Sequence, residues 1–171
     1  MPVELSDRTG GPAPIGLAAA AERLLALLDV ADRELDVVLV DDETMRELNR
    51  TWRGKDRPTD VLSFPQDDGL AMAAEREAPA SAADATAAAG AAPESLGDVV
   101  ISVPTARQQA ECGGWSLQEE ATRLLLHGVL HLLGHDHEAG GEPEALMKAA
   151  EARLATELVD AGFPCAREEL A

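Results

Sequence analysis

The sequence has little positive charge, no histidine outside one short window and no long apolar run. Its 171 residues include 32 acidic and 14 basic side chains, a formal net charge of −18. This imbalance argues against a protein that coats nucleic acid non-specifically or lies on an anionic membrane. No run of eighteen apolar residues and no basic-then-apolar leader is evident, so we expect no membrane span, no secretion signal and a cytoplasmic location.

Cysteine and aromatic residues are also scarce. The two cysteines, Cys112 and Cys165, lie far apart in the chain, which fits free thiols in a reducing compartment. The sequence holds two Trp, two Phe and no Tyr. Trp52 therefore fits a core anchor better than a platform for stacking a base, and we assign it no role.

The order of predicted elements indicates an α+β fold, a small mixed sheet packed with about five helices. We expect residues 1–171 to form one domain, because this length can bury a real core. Apolar spacing, caps and breakers predict the elements. The predicted strands are 3–5, 34–40, 59–64 and 97–102, and the predicted helices are 15–28, 41–50, 104–112, 117–133 and 142–159.

Residues 66–95 differ in kind from the rest of the chain. They are dominated by Ala, with Gly, Pro, Asp and Glu and almost no large apolar side chain. Such a segment buries too little surface to offset its ordering entropy. We therefore predict a mobile Ala-rich insertion without a chemical role.

All four histidines lie between His127 and His137, and three of them have the spacing of a metal site. His127 and His131 are four residues apart, so they share one face of the predicted helix that follows the capping-box pattern Ser116 to Glu119. Gly134 can end that helix and let the chain bring His137 to the same point. His135 fits the rim of a pocket, and Asp136 fits either an orienting partner or a turn.

Three neutral imidazoles leave a fourth coordination position open, which is typical of catalytic rather than structural zinc. We therefore predict one Zn²⁺ per chain, bound by His127, His131 and His137 at the end of a central buried helix. Nitrogen ligands also suit copper, nickel or cobalt. Two satisfied core histidines followed by a polar loop would be the purely structural interpretation.

A basic run interrupts the acidic sequence between Arg50 and Pro58. It contains Arg53, Lys55 and Arg57 as well as Arg50. An Arg side chain can hold a phosphate through two hydrogen bonds, and Gly54 would let the backbone approach closely. The alternative is a solvated loop whose cations pair with nearby carboxylates.

Three blocks of sequence together resemble the YbeY family of bacterial metal-dependent endoribonucleases. They are His-Gly-Val-Leu-His-Leu-Leu-Gly-His-Asp-His at 127–137, Arg-Gly-Lys-Asp-Arg-Pro-Thr-Asp-Val-Leu-Ser-Phe-Pro at 53–65, and Gly-Asp-Val-Val-Ile-Ser at 97–102. The resemblance extends from about Val37 to the final helix, and no motif position departs. It implies that His127, His131 and His137 are zinc ligands and that Arg53 is the arginine of the positively charged cleft.

The resemblance also implies a substrate and partners. The substrate would be single-stranded RNA, in 3′-end maturation of the 16S rRNA of the small subunit and in disposal of defective ribosomes. The expected partners are small-subunit ribosomal RNA and either ribosomal proteins or a ribosome-associated GTPase. Arg53 would stabilise the phosphate in the transition state, with Lys55 and Arg57 as further substrate-binding residues. The nucleophile stays open between a metal-activated water and the 2′-hydroxyl of the RNA.

Two alternatives compete with this interpretation. The spacing H-x-x-x-H-x-x-G-x-x-H is also that of metzincin peptidases, in which a Glu directly after the first His is the general base. That position is Gly128 here, so a peptidase would lack a group typically worth about 10²- to 10⁴-fold in rate. The other alternative is a non-catalytic ribosome assembly factor whose zinc only holds the fold.

Overall fold

The structure, a computed structural model, describes residues 3–10, 16–65, 95–134 and 141–166. These residues form four strands and five helices. The strands are β1 (Val3–Asp7), β2 (Glu34–Val40), β3 (Val61–Pro65) and β4 (Ser95–Ser102). The helices are α1 (Leu17–Leu27), α2 (Asp42–Arg53), α3 (Val103–Gly113), α4 (Leu117–Leu132) and α5 (Gly141–Asp160). The predicted α+β class with about five helices is confirmed.

The four strands form one mixed sheet in the order β1-β2-β4-β3. β1, β2 and β4 run parallel to one another, whereas β3 pairs antiparallel with β4. The segment starting at Val3, predicted as a strand, is one edge of the sheet. β3 is the other edge, and it lies next to the central strand β4.

Alternating side chains of β2 and β4 supply two separate cores, as expected of strands buried on both faces. Val37, Leu39, Val99 and Ile101 pack on one face with residues of α1, α3, α4 and α5. Val38, Val40 and Val100 pack on the other with Met45 and Leu48 of α2 and with Leu62 and Phe64 of β3. The sheet therefore separates α2 from the four other helices.

Helix α2 is longer than predicted. We expected it to end at Asn49 or Arg50, but it continues through Arg53 and ends at Gly54, whose φ is 69°. Glycine adopts this left-handed conformation without steric penalty, and its N–H donates to the carbonyl oxygen of Arg50 at 3.1 Å. Residues 51–53, which the prediction placed between this helix and the next strand, are therefore helical.

Four strand limits also differ from the prediction: β1 continues to Asp7, β3 runs from Val61 to Pro65, and β4 begins at Ser95. Pro65 was expected to stop β3, yet it is the last residue of that strand, opposite Gly97. An edge strand tolerates proline because only one of its sides needs the ladder hydrogen bonds. Ser95, placed in the predicted insertion, begins β4, because the neighbouring Leu96 is buried in the core. The rest of that predicted insertion, 66–94, lies outside the described residues.

Two local predictions, a capped start of α2 and two free cysteines, are confirmed. Asp41 caps α2 by accepting a hydrogen bond from the backbone N–H of Thr44 at 2.8 Å. Both cysteines are free thiols, Cys112 exposed and Cys165 buried. Among the described residues, no helix combines the length and apolar character needed to cross a membrane.

Candidate metal centre and basic loop

Helix α4 carries the first two histidines and is the central buried helix of the fold. Its start is the predicted capping box: the backbone N–H of Glu119 donates to the Ser116 hydroxyl, and the N–H of Ser116 donates to the Glu119 carboxylate, both at 3.1 Å. The backbone N–H groups of Ser116 and Glu119, which have no partner within the helix, thereby each gain a side-chain acceptor. Most of the following side chains are buried, including Leu124, Leu125, Leu126, Val129 and Leu130.

Gly128 brings α4 unusually close to the sheet. A Cβ atom at this position would lie 2.7 Å from Cγ1 of Val99 and 3.1 Å from Oγ of Ser63. The Ser63 hydroxyl uses this proximity, since it donates to the carbonyl oxygen of Gly128 at 2.9 Å. The contact fixes the height and rotation of α4 above β3 and β4, and with them the direction in which the adjacent His127 points.

The imidazoles of His127 and His131 converge. Their Nε2 atoms lie 3.0 Å apart, and the ring centroids are separated by 4.6 Å with planes at 72°. Two nitrogens bound tetrahedrally to zinc at 2.0–2.1 Å would be about 3.3 Å apart. The two ring nitrogens thus lie at nearly that separation, and the two histidines share one face of α4, as their i, i+4 spacing predicted.

Glu151 of α5 meets the opposite side of the His127 ring. Its Oε1 lies 2.5 Å from Nδ1 of His127. The side chain of Glu151 is 32% exposed, and that of His127 is 25% exposed. The carboxylate therefore contacts the ring nitrogen that does not face His131. Glu151 does not join the convergence of the two Nε2 atoms, so it fits a partner of His127 rather than a third ligand.

The predicted third ligand lies outside the described residues. His137, together with His135 and Asp136, falls in the range 135–140. Among the residues that the structure describes, no group of three potential metal-ligating side chains comes together. Gly134 follows α4 with a φ of 96°, and its N–H donates to the carbonyl oxygen of His131 at 3.0 Å. The predicted helix exit is confirmed at this glycine, while ligation by His137 stays a prediction.

The basic loop is anchored by a buried asparagine. Asn49 is 2% exposed. Its side-chain amide donates to the backbone carbonyl oxygen of Arg57 at 2.7 Å. Its backbone carbonyl oxygen accepts a hydrogen bond from the N–H of Lys55 at 3.2 Å. The loop backbone from Lys55 to Arg57 is therefore fixed to the last turns of α2. The side chains of Arg53, Lys55 and Arg57 lie at the surface.

The one acid in the basic run is engaged by a cation outside it. Asp56 pairs with Arg46 of α2 through two hydrogen bonds of 2.8 and 3.1 Å. The hydrogen bond from Arg46 lowers the pKa of Asp56, and the same contact raises the pKa of Arg46. This ion pair joins the acid of the run to a helix residue and does not involve Arg53, Lys55 or Arg57.

Arg53 lies on a different layer from His127 and His131. Arg53 ends α2, which packs on the face of the sheet opposite α4. The edge strand β3 lies between them, because Ser63 contacts α4 while Phe64 packs with the α2 layer. Trp52 is 41% exposed and meets Phe64 edge-to-face at 6.4 Å. It holds the end of α2 to β3, so the core-anchor interpretation is only partly right.

Sequence reasoning missed Glu151 and Asn49. A signal for Glu151 was present, because Met147, Leu154 and Leu158 share its helix face and are buried. An acid within such an apolar stripe needs a partner. Asn49 carried no comparable signal, since an asparagine near a helix end is an ordinary feature.

Comparisons with known proteins identify the family of this chain. A family model described as Endoribonuclease YbeY matches residues 17–159. An endoribonuclease YbeY of Aquifex aeolicus is 44% identical over 131 residues, 77% of this chain and 74% of its own length. That of Salinispora tropica is 42% identical over 156 residues, covering 90% of this chain and 94% of its own. A solution structure from Thermotoga maritima shares the fold, with a TM-score of 0.53, 21% identity and 99% coverage of both chains. The chain therefore belongs to the YbeY family of endoribonucleases, which confirms the predictions of that family and of a hydrolase that cuts RNA.

Proposed function

We propose that this protein is a zinc-dependent endoribonuclease that cuts single-stranded RNA, acting at the 3′ end of the 16S rRNA and in late ribosome quality control. The observation that carries the metal-dependent part is the convergence of the His127 and His131 Nε2 atoms at 3.0 Å. The family assignment supports cleavage within RNA. Zinc, the single-stranded substrate and the ribosomal setting are the parts of the proposal that need experiment.

The side chains fit a divalent ion. Without a cation nearby, two imidazole nitrogens 3.0 Å apart can share no more than one proton in a hydrogen bond. With a cation present, each nitrogen can offer its lone pair to the same ion. His137 would be the third ligand, at the exit of α4, with one ion per chain. When bound, the ion would supply Lewis-acid stabilisation of negative charge on a phosphoryl oxygen. Zinc is favoured, and copper, nickel and cobalt are the competing ions.

The basic loop would bind the phosphates of the substrate. Arg53 can clamp a phosphate through two parallel hydrogen bonds and stabilise its charge in the transition state. Lys55 and Arg57 would contact flanking phosphates of a single strand from the loop that Asn49 fixes. Few cations in one place suit a splayed strand better than a duplex, which would need many phosphate contacts.

The peptidase alternative meets a steric obstacle as well as a chemical one. A general base in that design would follow His127 directly, at Gly128. A Cβ there would lie 2.7 Å from Val99, a distance that carbon atoms do not adopt without displacement of a neighbour. No glutamate can therefore occupy this position while α4 stays as close to the sheet.

The net charge of −18 suggests that targeting relies on ribosomal subunits, with ribosomal proteins or a ribosome-associated GTPase as the partner. We expect cleavage of naked RNA to be slow. At most three cations would contact phosphates. A plot of the logarithm of the affinity for single-stranded RNA against the logarithm of the salt concentration should therefore have a slope no steeper than about −2. A markedly steeper slope, or equally efficient cleavage in free RNA and in subunits, would contradict this part.

The test is metal content by mass spectrometry combined with cleavage of ribosomal RNA in small subunits. We expect about one zinc per chain in the wild type, loss of zinc and of cleavage in His131→Ala, and loss of cleavage with zinc retained in Arg53→Ala. Arg107→Ala, an exposed arginine on α3, is the matched control and should behave as wild type. Cleavage unaffected by both substitutions would refute the proposal.

A structural role for zinc is separated by a further variant. If the ion only holds the fold, His137→Ala should unfold the protein, as judged by circular dichroism. If the ion performs chemistry, the same variant should keep its helical signal and lose cleavage.

A further inference from the structure

Glu151 is an acid in a place where the helix pattern calls for an apolar residue. Met147, Leu154 and Leu158, spaced at four, three and seven residues from it, are 1% or less exposed. An ionised carboxylate on that face loses solvation, which is costly unless a partner compensates. The partner is the imidazole of His127, whose Nδ1 lies 2.5 Å from Oε1 of Glu151.

The contact selects one side of the ring. Glu151 meets Nδ1, while the Nε2 atom of the same ring points at His131. A carboxylate accepts, so the ring nitrogen beside it must be the one that carries the proton. The ring tautomer is set by the hydrogen bond that one nitrogen makes. With the ring neutral and Glu151 ionised, this contact leaves the lone pair of His127 on Nε2, the atom that a metal ion would need.

We propose that Glu151 is a positioning residue for the metal site: by accepting the Nδ1 proton of His127, it keeps Nε2 unprotonated, orients the ring toward His131 and adds negative charge behind the ligand. This inference rests on the metal site of the proposed function. Carboxylates that hold a ligating histidine in this way commonly change metal affinity by about 10- to 100-fold when removed.

A purely structural role would tie α5 to α4 and nothing more. That role predicts a loss of stability in Glu151 variants without a specific change in metal affinity. The two roles therefore separate when affinity is measured directly, without RNA and without relying on cleavage.

The experiment uses the full chain and measures the zinc dissociation constant by competition with a chromophoric chelator. Glu151→Gln keeps an acceptor but removes the charge, and should weaken zinc binding by about 10-fold. Glu151→Ala removes both and should approach about 100-fold. Glu157→Gln, on the same helix but away from the histidines, is the matched control and should bind zinc as wild type does. His127→Ala and His131→Ala test the site itself.

Nitrogen-15 NMR of the metal-free protein reads the tautomer, at a pH where the imidazole is neutral. We expect His127 to carry its proton on Nδ1 in the wild type and to populate both tautomers in Glu151→Ala. Circular dichroism of the same samples identifies any variant that fails to fold, and Glu151→Gln, which is nearly isosteric, then carries the comparison.

The outcomes distinguish this inference from the proposed function. If His127→Ala and His131→Ala lose zinc while both Glu151 variants bind it as tightly as wild type, the metal site stands and the positioning role is overturned. If the wild type itself binds no zinc, or the histidine variants bind it unchanged, the metal site and the role of Glu151 fail together.

Discussion

Replacing Gly128 with alanine should destabilise the protein by about 1–2 kcal/mol. The added methyl group would lie 2.7 Å from Cγ1 of Val99, which is fully buried in the central strand β4. Val99 has a stiff side chain, and its strand is hydrogen-bonded on both sides. The overpacking cost should therefore lie near the upper end of its usual range, about 2–3 kcal/mol. The better helix propensity of alanine returns about 1 kcal/mol.

Urea denaturation and thermal unfolding measure this loss, which corresponds to a decrease in Tm of about 2–8 °C for a chain of this length. The double variant Gly128→Ala/Val99→Ala should be more stable than the sum of its single changes by about 1 kcal/mol, because the new methyl fills part of the space that the valine vacates. Val100→Ala is the matched control, since Val100 packs in the other core and should add without coupling. Equal coupling for both valines, or a stabilised Gly128→Ala, would refute the close packing of α4.

Three further predictions concern the ends of α2 and the Ala-rich segment. Asp41→Ala should cost about 1 kcal/mol at neutral pH, because the side chain caps the helix. The hydrogen bond from the N–H of Thr44 lowers the pKa of Asp41 below its ordinary value of 3.8. The cap contribution is therefore complete above that value and is lost as the pH falls through the folded-state pKa. In urea denaturation at a series of pH values, the difference in unfolding free energy between the two proteins should be present at neutral pH and close only below the folded-state pKa. Asn49→Ala should weaken RNA binding in a filter assay with little change in zinc affinity, because it releases the carbonyl oxygen of Arg57; unchanged binding would mean that the loop needs no anchor. Deletion of residues 78–93 should leave cleavage intact, and an inactive deletion variant would show that the segment is more than an insertion.

Helix caps and strand alternation were strong enough to predict most of the fold. The β-branched run at 34–40 is β2 at both limits, and the Ser116 capping box begins α4 where expected. Two of the errors have different causes, one in strand pairing and one in a local signal that the prediction overlooked. Pro65 stays in β3 because the strand is at an edge, and Arg53 stays in α2 because the nearest residue able to end that helix is Gly54.

The sequence predicts only those parts of the candidate site that follow from the spacing of residues along one helix. The i, i+4 pattern predicts that His127 and His131 share a face, and their Nε2 atoms converge. The contact of Glu151 joins α5 to a histidine 24 residues earlier, and no local pattern specifies which side chain of one helix reaches which ring of another. The opposite placement of α2 and α4 likewise depends on the sheet order, which the sequence does not state.

The packing of α4 also limits what reaction the site can perform. A peptidase on this helix motif takes a proton with the side chain that follows the first ligand, and here the helix–sheet contact occupies that position. The same contact holds the imidazole of His127 in place, so a bulky base cannot be introduced there without displacing a predicted ligand. A reaction at this site therefore has no general base at position 128, and in the proposed function it would depend on stabilising charge and on either a metal-activated water or the 2′-hydroxyl of the RNA as nucleophile. RNA cleavage meets that condition, because the substrate carries its own 2′-hydroxyl beside the phosphate and the barrier is lowered chiefly by charge on the phosphoryl oxygens.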